Sequence, residues 1–373
     1  MLQPDRIALV HDRLEQNGGA ERVLWALHEI FPQAPIFTTI WNRQAVPRFD
    51  GCDVRTSWMQ ELPGILRAPR AYAALYPLAF RAMKLHDFDL VISTTSSFAQ
   101  GIRTNGALHV CYCHSPANFV WRPEAYFHSA AMRTATIPLR TWLKAWDRQA
   151  AAQPDVYVAT GQPVAERIGA FYSRDATIIA PPIERRWFTR HQADEFFLFA
   201  GRLVPHKHAD LAIAACSELG LPLVVAGTGR SEGQLRKAAQ GAARFLGYVS
   251  DDELRGLYAR ARAVIVPSEE EFGLVSLEAQ AAGTPVIAYD AGGARETVVD
   301  GVTGVRFSPQ TVSGLVAGLT RFSQLSWNRD AIQESAARFG QKRFEEKLLS
   351  LIEGHLEGRS DAYAASLRQV DAL

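Results

Sequence analysis

A chain of 373 residues exceeds one ordinary hydrophobic core, so two domains are expected. Apolar residues make up 47% and charged residues 21%, which excludes a disordered chain, and a net charge of +1 gives no general attraction for nucleic acid. Cys52, Cys111, Cys113 and Cys216 form no CxxC motif, and neither a leader-like segment nor a bilayer-length apolar run occurs. A reduced, cytoplasmic protein without disulfides, metal or membrane span is therefore expected.

In chain order, Arg6–Val10 reads as a buried parallel strand. The loop His11–Glu21, turning at Gly18-Gly19, leads into a helix ending near Ile30. Strand, glycine turn and helix is an arrangement that binds phosphate, although a simple tight turn uses the same residues. Further strands are expected at Ile36–Ile40, Leu90–Ser93, Leu108–Cys113 and Val156–Ala159, separated by helical stretches, which argues a parallel sheet. Residues 58–85 and 131–148 interleave aromatic and aliphatic side chains with arginine and lysine, against the single acids Glu61 and Asp147. Two readings stay open for them: an amphipathic contact with an anionic membrane, or helices with apolar faces inward and charges solvated. His114 follows the strand Leu108–Cys113, the end at which open α/β sheets bind ligands.

Ala180–Glu184, with Pro181-Pro182, reads as the interdomain linker, dividing a domain at 1–182 from one at 183–340. A second strand series follows at Phe196–Ala200, Leu223–Ala226, Phe245–Val249, Ala263–Val266, Val286–Tyr289 and Gly304–Phe307. Glycine-punctuated loops stand at strand ends: Gly201–Lys207, Gly227-Thr228-Gly229 and Asp290–Glu296. Arg202 and Lys207, on one of these loops, are candidates to pair with phosphate. After Ala263–Val266, the acidic loop to Gly273 opens a small-residue helix stopped by Gly283 and Pro285. Its first N–H groups suit an anion, whereas Glu270 and Glu278 would repel one and so are expected to grip hydroxyls. A nucleotide-sugar has that pattern, phosphate between two polyols. The last helix, about Gln341–Leu356, is amphipathic and is expected to return to the first domain, with Gly358–Leu373 fraying.

The element Pro267–Val286, with Glu270 and Glu278 separated by seven residues, resembles that of family 4 retaining glycosyltransferases of the GT-B fold. Asn17–Glu21, His114, Ala180–Pro182, Gly201–Leu203 with Lys207, Gly227–Gly229 and Gly292-Gly293 match in the same order, across nearly the whole chain. Cys111–Pro116, with Trp121 beyond, is similar to bacterial O-antigen and exopolysaccharide mannosyltransferases. The resemblance implies two Rossmann-like parallel-sheet domains facing across a cleft. It implies that Arg202 and Lys207 hold the donor diphosphate in place of a metal, with no cofactor. Glu278 would bind ribose hydroxyls and Glu270 donor-sugar hydroxyls. Backbone N–H groups of Phe272, Gly273 and Leu274 would orient sugar and phosphate. Gly18 and Gly19 would approach the diphosphate, His114 the sugar near its reacting carbon, and Gly227, Tyr248 and Val249 the base. The implied activity moves a hexose, mannose from GDP-mannose, onto a lipid-linked glycan at the inner face of the plasma membrane. Thr160-Gly161, where relatives often have Asn-Ser, and Asn118, where related mannosyltransferases often have arginine, depart from the pattern on the acceptor side. Three alternatives remain: another GDP- or UDP-sugar with a soluble acceptor, a non-catalytic sugar-nucleotide-binding component, and a dinucleotide oxidoreductase. The last is disfavoured by the absence of GxGxxG.

Overall fold

The computed structural model describes residues 6–127, 129–189 and 196–370. It divides into two compact units, Met1–Ala180 with Lys342–Leu373, and Pro181–Gln341.

In the first unit, continuous apolar runs become parallel strands buried on both faces, as sheets covered by crossover helices require. They are β1 (Ile7–His11), β2 (Ile36–Thr38), β3 (Val54–Thr56), β4 (Leu90–Thr95), β5 (Leu108–Cys113), β6 (Val156–Ala159) and β7 (Thr177–Ile178). The strand order is β3-β2-β1-β4-β5-β6-β7, every pair parallel. The second unit repeats the plan with β8 (Phe197–Ala200), β9 (Leu223–Ala226), β10 (Ala243–Gly247), β11 (Ala263–Val266), β12 (Val286–Tyr289) and β13 (Gly304–Phe307). Its order is β10-β9-β8-β11-β12-β13, again all parallel. In both sheets the order reverses beside the first strand, at β1/β4 and at β8/β11, and adjoining loops diverge there to leave a ligand crevice.

Several expectations change. The strand expected at Phe245–Val249 starts and ends earlier, because Gly247 leaves it with φ of 72° and puts Tyr248 and Val249 in the following loop. β3 and β7 are short edge strands, Val-Arg-Thr and Thr-Ile, with no apolar run to announce them. The last helix runs from Gln341 to Val370 rather than fraying after Leu356; residues 371–373 of the expected frayed tail lie outside the described residues. Phe344, Leu348 and Ile352, four residues apart, enter the core built on Leu9 and Val110, so this helix packs on the first sheet.

The two basic aromatic segments are not uniform amphipathic helices. Residues 58–85 hold the 3₁₀ turns Trp58–Glu61 and Pro69–Leu75 and the helix Tyr76–Ala82; residues 131–148 fall within the helices Ala130–Ala135 and Ile137–Ala150. Met59, Ile65, Tyr76, Phe80 and Leu143 are buried, whereas Trp58, Leu66, Leu78, Met132, Ile137 and Trp142 are exposed. Asp147, the single acid of the second segment, is buried at 1% exposure. Its carboxylate accepts from Gln100 Nε2, Trp121 Nε1 and Tyr172 Oη, which satisfy the charge that burial would otherwise expel. Burial still pushes its pKa up to about 6 against those hydrogen bonds. No helix among the described residues is long and apolar enough to cross a membrane.

Candidate functional site

At the β8/β11 reversal, the loop after β8 carries Arg202 and Lys207, and the loop after β11 carries Glu270. Lys207 closes the 3₁₀ turn Pro205–Lys207, and its Nζ lies 2.7 and 2.6 Å from the two oxygens of Glu270. Ser268 Oγ also donates to Glu270. The side chains of Lys207 and Glu270 are 23% and 18% exposed, a geometry in which charges keep much of their field. Burial pushes the Glu270 carboxyl up, but the Lys207 charge, its hydrogen bonds and Ser268 outweigh it and hold the group below its ordinary value. The carboxylate is therefore ionised at neutral pH, and this contribution to stability, present above pH 4.5, is lost as pH falls. Arg202 is exposed and has no side-chain hydrogen bond or ion pair among the described residues. One paired and one free cation thus share a loop.

The flanking glycines set this geometry. A Cβ on Gly227, whose φ is 133°, would stand 1.9 Å from Gly201 O. A Cβ on Gly293 would stand 2.1 Å from Phe272 O, while Gly293 N donates to Glu270 O at 2.8 Å. These contacts seat the neighbouring loops against those bearing Arg202 and Glu270. Gly273, with φ of 98°, opens the helix Leu274–Ala281, and Phe272 is buried edge-on to Phe339. Glu278 is 3% exposed, with Oε2 accepting from Tyr258 Oη at 3.1 Å. The two glutamates therefore have different surroundings, one on a cation and one on a phenol. Tyr248 is 79% exposed and offers a bare aromatic face; Val249 beside it is half-buried.

In the first unit, Gly18 and Gly19 are half-buried at the start of the helix Gly19–Ile30, and Gly18 N donates to Glu21 Oε2 at 3.0 Å. His114 follows β5, its N donating to Thr95 O at 2.8 Å. Burial, with His11 nearby, pushes its pKa down to about 3, so the ring is neutral through the physiological range. Its Nε2 is buried with no hydrogen-bond partner among the described residues, as is Thr160 Oγ1 at the end of β6, the strand paired with β5. Because the folded-state pKa lies below the ordinary 6.5, His114 favours the fold above pH 6.5, and this is lost as pH falls toward 3. His114→Phe is expected to shallow the loss of thermal stability between pH 6.5 and 4; an unchanged slope would remove His114 from that titration.

Asp12 is a residue that sequence reasoning passed over. Its carboxylate accepts from the N–H groups of Ser96, Phe98 and Ala99 and from the hydroxyls of Thr95 and Ser97, tying the end of β1 to the loop after β4. Thr95 Oγ1 also lies 2.8 Å from Gln100 Oε1, and Gln100 donates to Asp147, so a buried polar chain joins the two aspartates. The available signal was an acid directly after a buried strand.

Two Rossmann-like parallel sheets in one chain define the GT-B fold. The Anabaena HepE protein in complex with UDP superposes with a TM-score of 0.70 at 17% identity, over 94% of this chain and all of that one. The lipopolysaccharide outer core galactosyltransferase WaaB gives 0.67 at 15%, over 94% and 99%. Residues 183–342, nearly coextensive with the second unit, match the family described as glycosyl transferases group 1. A Mycobacterium tuberculosis glycogen synthase is 41% identical over 133 residues, 33% of this chain and 32% of its own length. The D-inositol 3-phosphate glycosyltransferase of Geodermatophilus obscurus is 30% identical over 260 residues, 60% of this chain and 57% of its own. The chain thus spans between a third and three-fifths of these curated relatives.

Proposed function

We propose that the protein is a retaining, metal-independent glycosyltransferase that moves a hexose, mannose from GDP-mannose, onto a lipid-linked glycan in surface polysaccharide synthesis. The observation that carries this is the Lys207–Glu270 pair at the β8/β11 reversal, on whose loop Arg202 stands free among the described residues. Cleaving a glycosyl–phosphate bond builds negative charge on the leaving phosphate, and fixed cations stabilise it without reorganisation. Lys207 and Arg202 supply them. Glu270 accepts from sugar hydroxyls and Glu278 from the ribose, Tyr248 and Val249 meet the base beside Gly227, and the N–H groups of Phe272–Leu274 orient the phosphate. In the first unit, Gly18 and Gly19 allow close backbone approach, and the unpartnered Nε2 of His114 meets a sugar hydroxyl. The leaving phosphate takes the acceptor's proton on the same face. The domain roles follow: the first unit, with the last helix, receives the acceptor, and the second binds the donor.

A UDP-sugar is the second reading, favoured because HepE is described in complex with UDP and with UDP-glucose. Nucleoside-diphosphate release screened across GDP- and UDP-sugars decides between them, and release from none would sink the transferase reading. Turnover is expected to persist in excess EDTA; abolition restored by Mg²⁺ would refute metal independence.

Peripheral contact with the inner membrane face is supported by Trp58, Leu66, Leu78, Met132, Ile137 and Trp142, exposed among arginines and lysines. Flotation with phosphatidylglycerol vesicles is expected, weakening with salt; no flotation at low salt would remove the membrane contact.

A further inference from the structure

We propose that a pocket in the first unit binds the phosphoryl group of a lipid-carried acceptor, a prenyl-type phosphate or diphosphate; this deepens the transferase reading and rests on it. The loop after β1 and the segment 66–71 line an open hollow of about 360 Å³, within the range of small-ligand sites. Glu15, Gln16, Leu66, Arg67, Pro69 and Arg70 line it.

Charge decides what the pocket favours. Glu15 is the one acid among the lining residues, and Arg13 already engages it, with Nε and Nη2 at 3.2 and 3.1 Å from Oε1. Neither Arg67 nor Arg70 has a carboxylate partner among the described residues; Arg70 lies 5.9 Å from the Tyr126 ring. Two guanidiniums therefore line the pocket, and the charge of its one carboxylate is already answered by Arg13. A guanidinium presents a planar fork of donors that matches two phosphate oxygens.

Exposed apolar side chains in this segment and in the elements next to it in the chain decide what carries the phosphate. Leu66, a lining residue, is 42% exposed, and the flanking turn and helix expose Trp58 at 45% and Leu78 at 52%. A free sugar phosphate or nucleotide would satisfy the arginines and leave these side chains in water. A lipid phosphate has an anionic head for the arginines and a chain for Leu66.

Calorimetric titration of the full chain with farnesyl diphosphate, beside farnesol and inorganic pyrophosphate, tests this. Wild type is expected to bind farnesyl diphosphate, pyrophosphate more weakly, and farnesol not measurably. Arg67→Gln/Arg70→Gln is expected to weaken farnesyl diphosphate at least about tenfold, the scale of losing charge-assisted hydrogen bonds. Arg67→Lys/Arg70→Lys is expected to recover part of that loss, and Lys207→Gln in the other unit to change nothing. Both arginines are exposed, and Arg67→Gln alone serves if the double variant melts early. No binding by wild type, undiminished binding by the Gln variant, or loss on Lys207→Gln instead would overturn the proposal. So would a Gln variant that loses only flotation on phosphatidylglycerol vesicles, since the arginines would then serve the bilayer. Nucleoside-diphosphate release without acceptor tests the transferase reading separately. Its absence with farnesyl diphosphate binding intact removes that reading and leaves the phosphate pocket standing.

Discussion

Lys207→Ala is expected to cut sugar transfer by at least about 100-fold, the scale of removing one preorganised charge stabiliser. The loss should fall on kcat more than on KM, because the cation gains most where charge develops on the leaving phosphate. A second effect separates this residue from ordinary surface lysines. Without Lys207, Glu270 keeps Ser268 but loses the charge that holds its carboxyl low, and burial then pushes its pKa up. The acid limb of the pH–rate profile should therefore move toward neutrality in Lys207→Ala. Glu270→Ala should lose comparable turnover and flatten that limb, because the titrating carboxyl is gone. Near-wild-type turnover in either variant would remove that residue from the mechanism.

Gly293→Ala is expected to damage both stability and turnover. The new Cβ would stand 2.1 Å from Phe272 O and 2.3 Å from its C and Cα, so backbone rather than a flexible side chain must yield. Overpacking of this kind costs about 1–3 kcal/mol, a fall of several degrees in Tm for a domain of this size. The displaced segment runs directly from Glu270, and a shift near 1 Å in a positioning group lowers turnover about 100-fold. Gly233→Ala is the control. Nothing lies within 4 Å of its Cβ in the helix Glu232–Ala239, and it should be neutral or raise stability by about 0.4–1 kcal/mol. A Gly293→Ala protein with unchanged Tm and turnover would show that the loop is free to move.

The contrast between glycines explains what could be read from the chain. Fully buried parallel strands need continuous apolar runs, so β5, β6, β9, β11, β12 and β13 stand in the sequence with their observed ends. Of the edge strands, β13 buries three of its four residues and keeps such a run, whereas β3 and β7 bury none and have no such signature. The loops bearing Arg202, Lys207 and Glu270 were legible because glycines mark the close approaches. Which residues meet was not: that Lys207 sits on Glu270 while Arg202 stands free follows from two loops brought together by strands sixty residues apart in the chain, each opening its own crossover. Asp147 failed for a related reason. A lone acid on a basic helix reads as solvated until its three donors, from three separate segments, are seen around it.

The Lys207–Glu270 pair also bears on what the site refuses. Inside a cell, inorganic phosphate competes for any exposed cation. To take Lys207 it must break an ion pair with two short contacts and leave a half-buried carboxylate without its cation. The sugar nucleotide of the proposed reaction would replace both halves at once, phosphate for the lysine and hydroxyls for the glutamate. On the proposed reading, the acid next to the cation would work as a lock against incomplete ligands, opened by a molecule that carries an anion and a polyol together.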